Sequence, residues 1–224
     1  LAGMAFGTGA ANAAETTVDT AATVTFKASK EKQLTSAQLS AYKIADYVNY
    51  GTAKTPVYGV KTAAGANRTK LAAALTTAGF QNVPIDGTTD LMAWAMNQKT
   101  TTDTDGTVTQ VQFDQSETRP WNDPSVTRKF ADALQAGNPF TAAADPFVLN
   151  KATGNDTNGW IATNKTVLTA GVYLFLDGNA STDTLTQAVP MIVSTGSVND
   201  KGVLSLGDST AEVDMKSTVK IGRA

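Results

Sequence analysis

The chain has 224 residues, a formal net charge of -2, and neither cysteine nor histidine. Without those side chains it cannot build a Ser-His-Asp triad, a thiol nucleophile or a Cys/His zinc site. Its near-neutral charge, with basic residues scattered singly, gives no reason to expect nucleic acid or an anionic membrane as a partner. We expect that the protein is not an enzyme, because no spacing in the sequence singles out the close pair of acidic residues that a glycosidase needs. We also expect no cofactor and no metal.

The first fourteen residues are rich in alanine and glycine and carry no charge. Ala11-Asn12-Ala13 has the small-x-small pattern of a signal-peptidase site, although the basic start of a signal peptide is missing. We expect residues 1–13 to be a signal-peptide remnant or a flexible leader, and the protein to be exported. No stretch reaches the length of a membrane span, so no membrane association beyond export is expected.

The next part of the chain has the two-residue period of β-strands. In Thr20–Ala28 the apolar residues share one phase and Lys27 has the other, which predicts a half-buried strand with Lys27 facing solvent. The polar run Lys30–Gln33 is interpreted as the turn after it. Ser40–Tyr50 predicts a second strand, although helical spacing also fits it, and Val57–Val60 predicts a short third strand.

Three helical segments are predicted to follow. Asn67 can cap a helix that Gly79 ends. Leu91–Met96, directly after a Thr-Thr-Asp run, predicts a second, short helix. The third helix is predicted to begin with Asp123 as its N-cap, with proline at its first position, and to end at Gly137.

Two polar stretches are interpreted as turns. Asp103–Gly106 resembles a fragment of a calcium-binding loop, but its glycine has the wrong offset for an EF-hand and no glutamate closes the loop. After this stretch, Thr107–Phe113 alternates and predicts a strand. Gly154–Gly159 is likewise interpreted as a turn.

The most apolar stretch predicts the centre of the fold. Val172–Leu176 and Val189–Val193 are nearly continuous apolar runs, and they predict two strands of a β-meander that is covered on both faces. Gly202–Leu206 and Ala211–Val219 predict two later strands, the last with Val213 facing inward. The whole pattern predicts a mainly β domain, a sandwich with helical insertions between its early strands.

Four runs of sequence carry a family resemblance. In chain order they are AYKIADY (Ala41–Tyr47), KFADALQ (Lys129–Gln135), GVYLFLDG (Gly171–Gly178) and PMIVS (Pro190–Ser194). Together they resemble the N-terminal domain of the sortase-assembled major pilins of Gram-positive bacteria, especially actinobacterial fimbrial subunits. The resemblance implies an Ig-like, CnaB-related β-sandwich over residues 14–220, with 221–224 beginning a linker to a following domain.

The resemblance also implies a function. Such pilins are exported shaft subunits that a class C sortase joins covalently to neighbouring subunits, in a cell-wall-anchored pilus that supports adhesion. The sortase joins an LPXTG-type signal to a lysine, usually in a Tyr-Pro-Lys setting, near the end of this domain. Both motifs are absent here, and the nearest lysines are Lys216 and Lys220. Lys216 is predicted to face solvent beside Asp214, which favours the protonated amine.

Many domains of this family contain an internal Lys–Asn amide between their first and last strands. It forms when a buried, neutral lysine attacks an amide beside a carboxyl group. Lys27 is predicted on the solvent side of the first strand, and the last strand offers only Asp214, which also faces outward. We therefore expect no internal amide. Lys43 is the leading exception, because it shares a strand phase with Ala45 and Tyr47.

An alternative function is a cell-surface adhesin module that binds a host glycan or a matrix protein. Trp121 and Trp160 are predicted to lie in loops, where aromatic rings can line a ligand groove. This alternative predicts that substitutions in these loops abolish ligand binding and leave polymerisation intact.

Overall fold

The computed structural model describes residues 15–114, 125–140, 146–178 and 188–213, and it is mainly β, as the sequence predicts. The strands are β1 (Thr16–Thr17), β2 (Ala21–Ala22), β3 (Val24–Ala28), β4 (Leu39–Asn49), β5 (Tyr58–Thr62), β6 (Thr101–Thr102), β7 (Val108–Gln110), β8 (Thr153–Asn155), β9 (Gly159–Thr163), β10 (Leu168–Thr169), β11 (Gly171–Asp177), β12 (Met191–Ser194), β13 (Gly196–Val198), β14 (Leu204–Leu206) and β15 (Ser209–Glu212). The helices are α1 (Glu31–Thr35), α2 (Arg68–Ala78), α3 (Leu91–Met96) and α4 (Val126–Gly137).

Two larger sheets organise the described residues. The central sheet has the order β1-β4-β11-β12, and β5 also pairs with β4. The outer sheet has the order β15-β3-β9-β8. Three further ladders have two strands each: β2 with β10, β6 with β7 and β13 with β14. Among the described strands, every ladder is antiparallel except that of β15 with β3, which is parallel.

The central sheet is covered on both faces. On one face Phe175 packs against Phe26 of the outer sheet, with ring centroids 5.1 Å apart, so the two sheets face each other as in a β-sandwich. On the other face Leu174 packs in a second cluster with Leu71 of α2 and Phe130 of α4. Successive residues of β11 therefore enter different cores, which confirms the prediction of a strand buried on both sides.

The helix ends follow ordinary capping chemistry. The side chain of Asn67 accepts a hydrogen bond from the backbone N–H of Lys70 at 3.0 Å, and Gly79 ends α2 with a φ of 110°. Both predictions are confirmed. The N-cap of α4 is Ser125, whose side chain accepts from the N–H of Arg128, so the prediction of Asp123 is wrong. The Ser125 hydroxyl thus satisfies one of the free N–H groups in the first turn of α4.

The region predicted as a turn after β3 contains α1 instead. The side chain of Gln33 accepts a hydrogen bond from the N–H of Lys30 at 2.8 Å, and Leu34 is buried in the core between the sheets. The Asp103–Gly106 turn is confirmed, because it connects β6 and β7. The predicted Gly154–Gly159 turn is shorter in the structure, because Gly154 and Asn155 lie in β8 and Gly159 begins β9. Neither of these paired strands was predicted.

Candidate functional site

Four of the predicted site residues lie outside the described residues. They are the two candidate acceptors, Lys216 and Lys220, together with Asp214 and Trp121. The nearest described position to the acceptors is Val213, whose N–H donates to the carbonyl of Lys27 at 2.8 Å. The chain that contains both lysines therefore begins at the edge of the outer sheet.

Lys27 faces solvent on β3, as predicted. It lies opposite Ile161 of β9 and Glu212 of β15 on the open face of the outer sheet. An internal amide requires a lysine whose amine has lost its water. The exposed position of Lys27 does not provide that desolvation.

Lys43 lies in a half-buried polar cluster. Its Nζ is 2.5 Å from Oδ1 of Asp46 and donates to Oγ1 of Thr169 at 2.8 Å. The same Nζ lies 5.8 Å from the centroid of the Tyr173 ring. The side chains of Lys43 and Asp46 are 23% and 24% exposed. The pair thus lies at the border between the central sheet and β10.

A β-bulge builds this cluster. Val172 is opposite Ala45 and Tyr173 is opposite Lys43, which leaves Ile44 as an extra residue in β4. Residues three apart in a regular strand lie on opposite faces, and the extra residue brings Asp46 to the face of Lys43. The bulge also turns Ala45 into the helix-side core. The predicted shared phase of Lys43 and Ala45 is therefore wrong.

Gly171 leaves the space that the Lys43 side chain occupies. A Cβ at this position would lie 2.5 Å from Cε of Lys43 and 2.6 Å from the carbonyl oxygen of Ala45. The ionic partner of Lys43 is on its own strand. The Lys43–Asp46 pair therefore differs from the internal amide of the pilins that this sequence resembles, because that amide joins the first strand to the last.

Trp160 lies in β9, so its predicted position in a loop is wrong. It is opposite Ala28 of β3, and its ring packs partly against the core between the sheets. Its indole N–H donates to Oδ1 of Asp156 at 2.8 Å, and Lys30 donates to Oδ2 of the same carboxylate at 3.0 Å. These two hydrogen bonds, that of Trp160 first, hold the pKa of Asp156 below its usual range. Trp160 thus works as a fixed part of the β8–β9 hairpin.

Two polar anchors were not predicted. Asp177 is 3% exposed, and its two carboxylate oxygens accept from the backbone N–H groups of Gln38 and Ala188 at 3.0 and 2.9 Å. The side chain of Asn164 accepts from the N–H of Val24 at 2.8 Å and donates to the carbonyl of Ala22. The only signal for Asp177 was its place directly after an apolar run, where it resembles an ordinary turn residue.

Within the described ranges, no group of three or more acidic side chains is placed to hold a metal ion. In the same ranges no helix has both the length and the apolar character needed to cross a membrane. Comparison with protein-family models, with curated proteins and with solved structures finds no match to this chain.

Proposed function

We propose that this chain is the N-terminal, Ig-like domain of a shaft subunit in a sortase-assembled cell-surface pilus. One observation carries the proposal. Three of the runs that resemble pilins form adjacent strands of one sheet: AYKIADY in β4, GVYLFLDG in β11 and PMIVS in β12. The fourth run lies in α4, where Phe130 and Leu134 pack in the same cluster as Leu174 of β11. The motifs are thus parts of one packed unit.

The strand order supports the Ig-like, CnaB-related interpretation. The first long strand, β3, and the last described strand, β15, are neighbours in the outer sheet. In the pilins that this sequence resembles, the first and last strands must also lie close together, because the internal amide joins them. In this proposal α2, α3 and α4 are an insertion between β5 and β8 that covers the second face of the central sheet.

The proposed chemistry takes place at Lys216 or Lys220, which lie outside the described residues. The amine nitrogen attacks the thioester carbonyl of the acylated class C sortase, an amide bond forms, and the enzyme's thiol leaves. The amine proton passes to a base that the sortase supplies. The partners are the sortase and neighbouring subunits, in an exported, cell-wall-anchored pilus.

An acceptor assay tests the proposal. The folded protein is incubated with a class C sortase and an LPXTG peptide, and the modified lysine is mapped by tandem mass spectrometry. We expect an adduct at Lys216 or Lys220 that the corresponding Lys→Arg substitution abolishes. Lys27→Arg, which alters an exposed lysine of the same sheet, is the matched control and should leave the adduct unchanged.

The absence of an adduct, with an enzyme that modifies a known pilin in parallel, would contradict the shaft proposal. The intact mass of the unreacted protein answers a second question. Loss of one ammonia or one water would reveal an internal amide, contrary to our expectation.

A further inference from the structure

We propose that a cavity at one end of the sandwich binds a primary alkylammonium group, which a small amine or a lysine side chain of a partner protein supplies. The cavity lies where β3 and β15 begin, beside the short ladder of β2 with β10. The end of β14 and the turn from β14 to β15 also line it. These segments are far apart in the sequence, so only the folded chain forms the cavity.

The cavity has the size of one side chain. Its volume is about 190 Å³. Pockets that enclose drug-sized ligands have volumes of roughly 300–1,000 Å³. An aliphatic chain of a few carbons with one polar head group therefore suits this space better than a nucleotide or an oligosaccharide does.

The apolar part of the lining suits an alkyl chain. It consists of Ala21 and Ala22 of β2, the buried Ala170, and Leu206 of β14. Leu206 is one of the exposed large apolar side chains of the protein, with an exposed fraction of 41%. Contact with the methylene groups of a ligand removes this apolar surface from water, which favours binding.

The polar side chains of Asp208 and Thr195 offer hydrogen-bond acceptors. Asp208 is exposed, and within the described residues its carboxylate has no hydrogen bond or ion pair. Thr195 is 1% exposed, and its hydroxyl donates to the carbonyl of Gly171 at 3.1 Å and accepts from the N–H of Gly171 at 2.8 Å. The single proton of this hydroxyl is therefore already used, and one lone pair remains. Both side chains thus favour a ligand that donates hydrogen bonds.

The charge of the lining favours a cation. Asp208 is the one charged residue among the described residues that line the cavity, and none of them is basic. A primary ammonium has three N–H donors and a positive charge, so it can pair with the carboxylate while its alkyl chain contacts the alanines. It is also more compact than a guanidinium, which suits the small volume.

Titration with n-butylammonium chloride, followed by NMR of the isotope-labelled full chain, tests the inference. We expect saturable shifts of the backbone amide signals of Ala22, Ala170 and Gly207. Neutral n-butanol and sodium butyrate, at the same concentration and ionic strength, should not produce these shifts. Equal shifts with the amine and the alcohol would show that the charge has no role and would overturn the inference. The absence of saturable shifts with the amine would also overturn it.

A matched pair of variants tests the role of Asp208. Asp208→Asn removes the carboxylate of the cavity, and Asp200→Asn removes an exposed carboxylate from the turn between β13 and β14. Both change the net charge equally. We expect a severalfold loss of n-butylammonium affinity in Asp208→Asn and unchanged affinity in Asp200→Asn. Equal losses would show attraction to net charge alone and would overturn the site.

A second titration distinguishes the two sources of the alkylammonium group. N-acetyl-lysine methylamide presents the same group on a peptide backbone. Binding as tight as that of n-butylammonium would support a lysine side chain of a partner protein, whereas binding of n-butylammonium alone would support a small free amine. None of these measurements involves a sortase, so the inference and the proposed function fail or succeed separately.

Discussion

The two faces of the sandwich differ in what they leave exposed. The central sheet is closed on its far side by α2, α3 and α4, and the side chains between them, such as Leu174 and Phe130, are fully buried. The outer sheet has one buried face and one open face, where Lys27 and Ile161 meet solvent. β15, the last described strand, lies at the edge of this open sheet. The helical side thus encloses a second core, whereas the outer sheet leaves one face to solvent.

The largest expected effect comes from opening the closed side. Phe130→Ala removes a fully buried ring whose centroid lies 5.1 Å from that of Phe113. We expect the free energy of unfolding to fall by about 3–5 kcal/mol in denaturant titration. Ile161→Ala on the open face, where the side chain is 43% exposed, is the control and should cost no more than about 0.5 kcal/mol. Equal losses would contradict the comparison.

A smaller effect is expected from filling the space beside Lys43. In Gly171→Ala the new methyl group would overlap the Lys43 side chain and the carbonyl of Ala45. We expect a loss of about 1–3 kcal/mol, which denaturant titration measures. Adding Lys43→Ala should recover part of this lost stability, because it removes the overlap with the Lys43 side chain. The recovery should be incomplete, because the overlap with the carbonyl of Ala45 remains. An unchanged stability in Gly171→Ala would show that the bulge relaxes without cost.

The central sheet, to which Tyr47 of β4 belongs, should also lose stability at high pH. Burial raises the pKa of Tyr47 from 10.0 to about 12, and its hydroxyl donates to the carbonyl of Gly196 at 2.6 Å. A raised tyrosine pKa favours folding with the hydroxyl protonated. Its contribution is fully present below pH 10 and is lost as the pH rises toward about 12. We expect the free energy of unfolding to fall across this window.

Tyr47→Phe separates this contribution from other alkaline effects. It should cost about 1 kcal/mol at neutral pH, through loss of the hydrogen bond. It should also make the alkaline decline shallower. Part of the decline in stability should remain in Tyr47→Phe because of Tyr50. Burial and then the charges of Glu15 and Asp90 raise the pKa of Tyr50 to about 12. An alkaline decline of the same slope in Tyr47→Phe would contradict the role of Tyr47.

The smallest effect is expected at Trp160. Trp160→Phe keeps the ring packing and removes the N–H that donates to Asp156. We expect no measurable change in stability, because the carboxylate is exposed and also bonded to Lys30. Trp160→Ala tests the adhesin alternative on a glycan array. Loss of a glycan signal that the unaltered protein gives would support the adhesin alternative, and an unchanged signal would contradict it.

The helical side was largely predictable from the sequence. The cap at Asn67 and the stop at Gly79 depend on residues within one turn of each helix end, although the N-cap of α4 is Ser125 and not the predicted Asp123. The period of apolar residues is equally local, which is why β11 and the phase of Lys27 on β3 were also predicted correctly.

The open sheet was less predictable because its contacts are remote in sequence. Nothing in Gly159–Thr163 alone shows that β9 pairs with β3, or that β15 joins β3 in parallel. The bulge at Ile44 also depends on how β11 lies against β4, and it changes which side chains accompany Lys43. The alternation of residues along one strand predicts which side chains share a face. It does not predict which other strand pairs with it.

The most direct measurement is a map of every lysine that the sortase modifies in the unaltered, folded protein. Our account predicts modification at Lys216 or Lys220, in the segment that begins beyond Val213 at the edge of the outer sheet. It predicts none at Lys70 of α2 or Lys129 of α4, on the helical side. Modification on those helices, or no modification by an enzyme active on another pilin, would contradict the central claim.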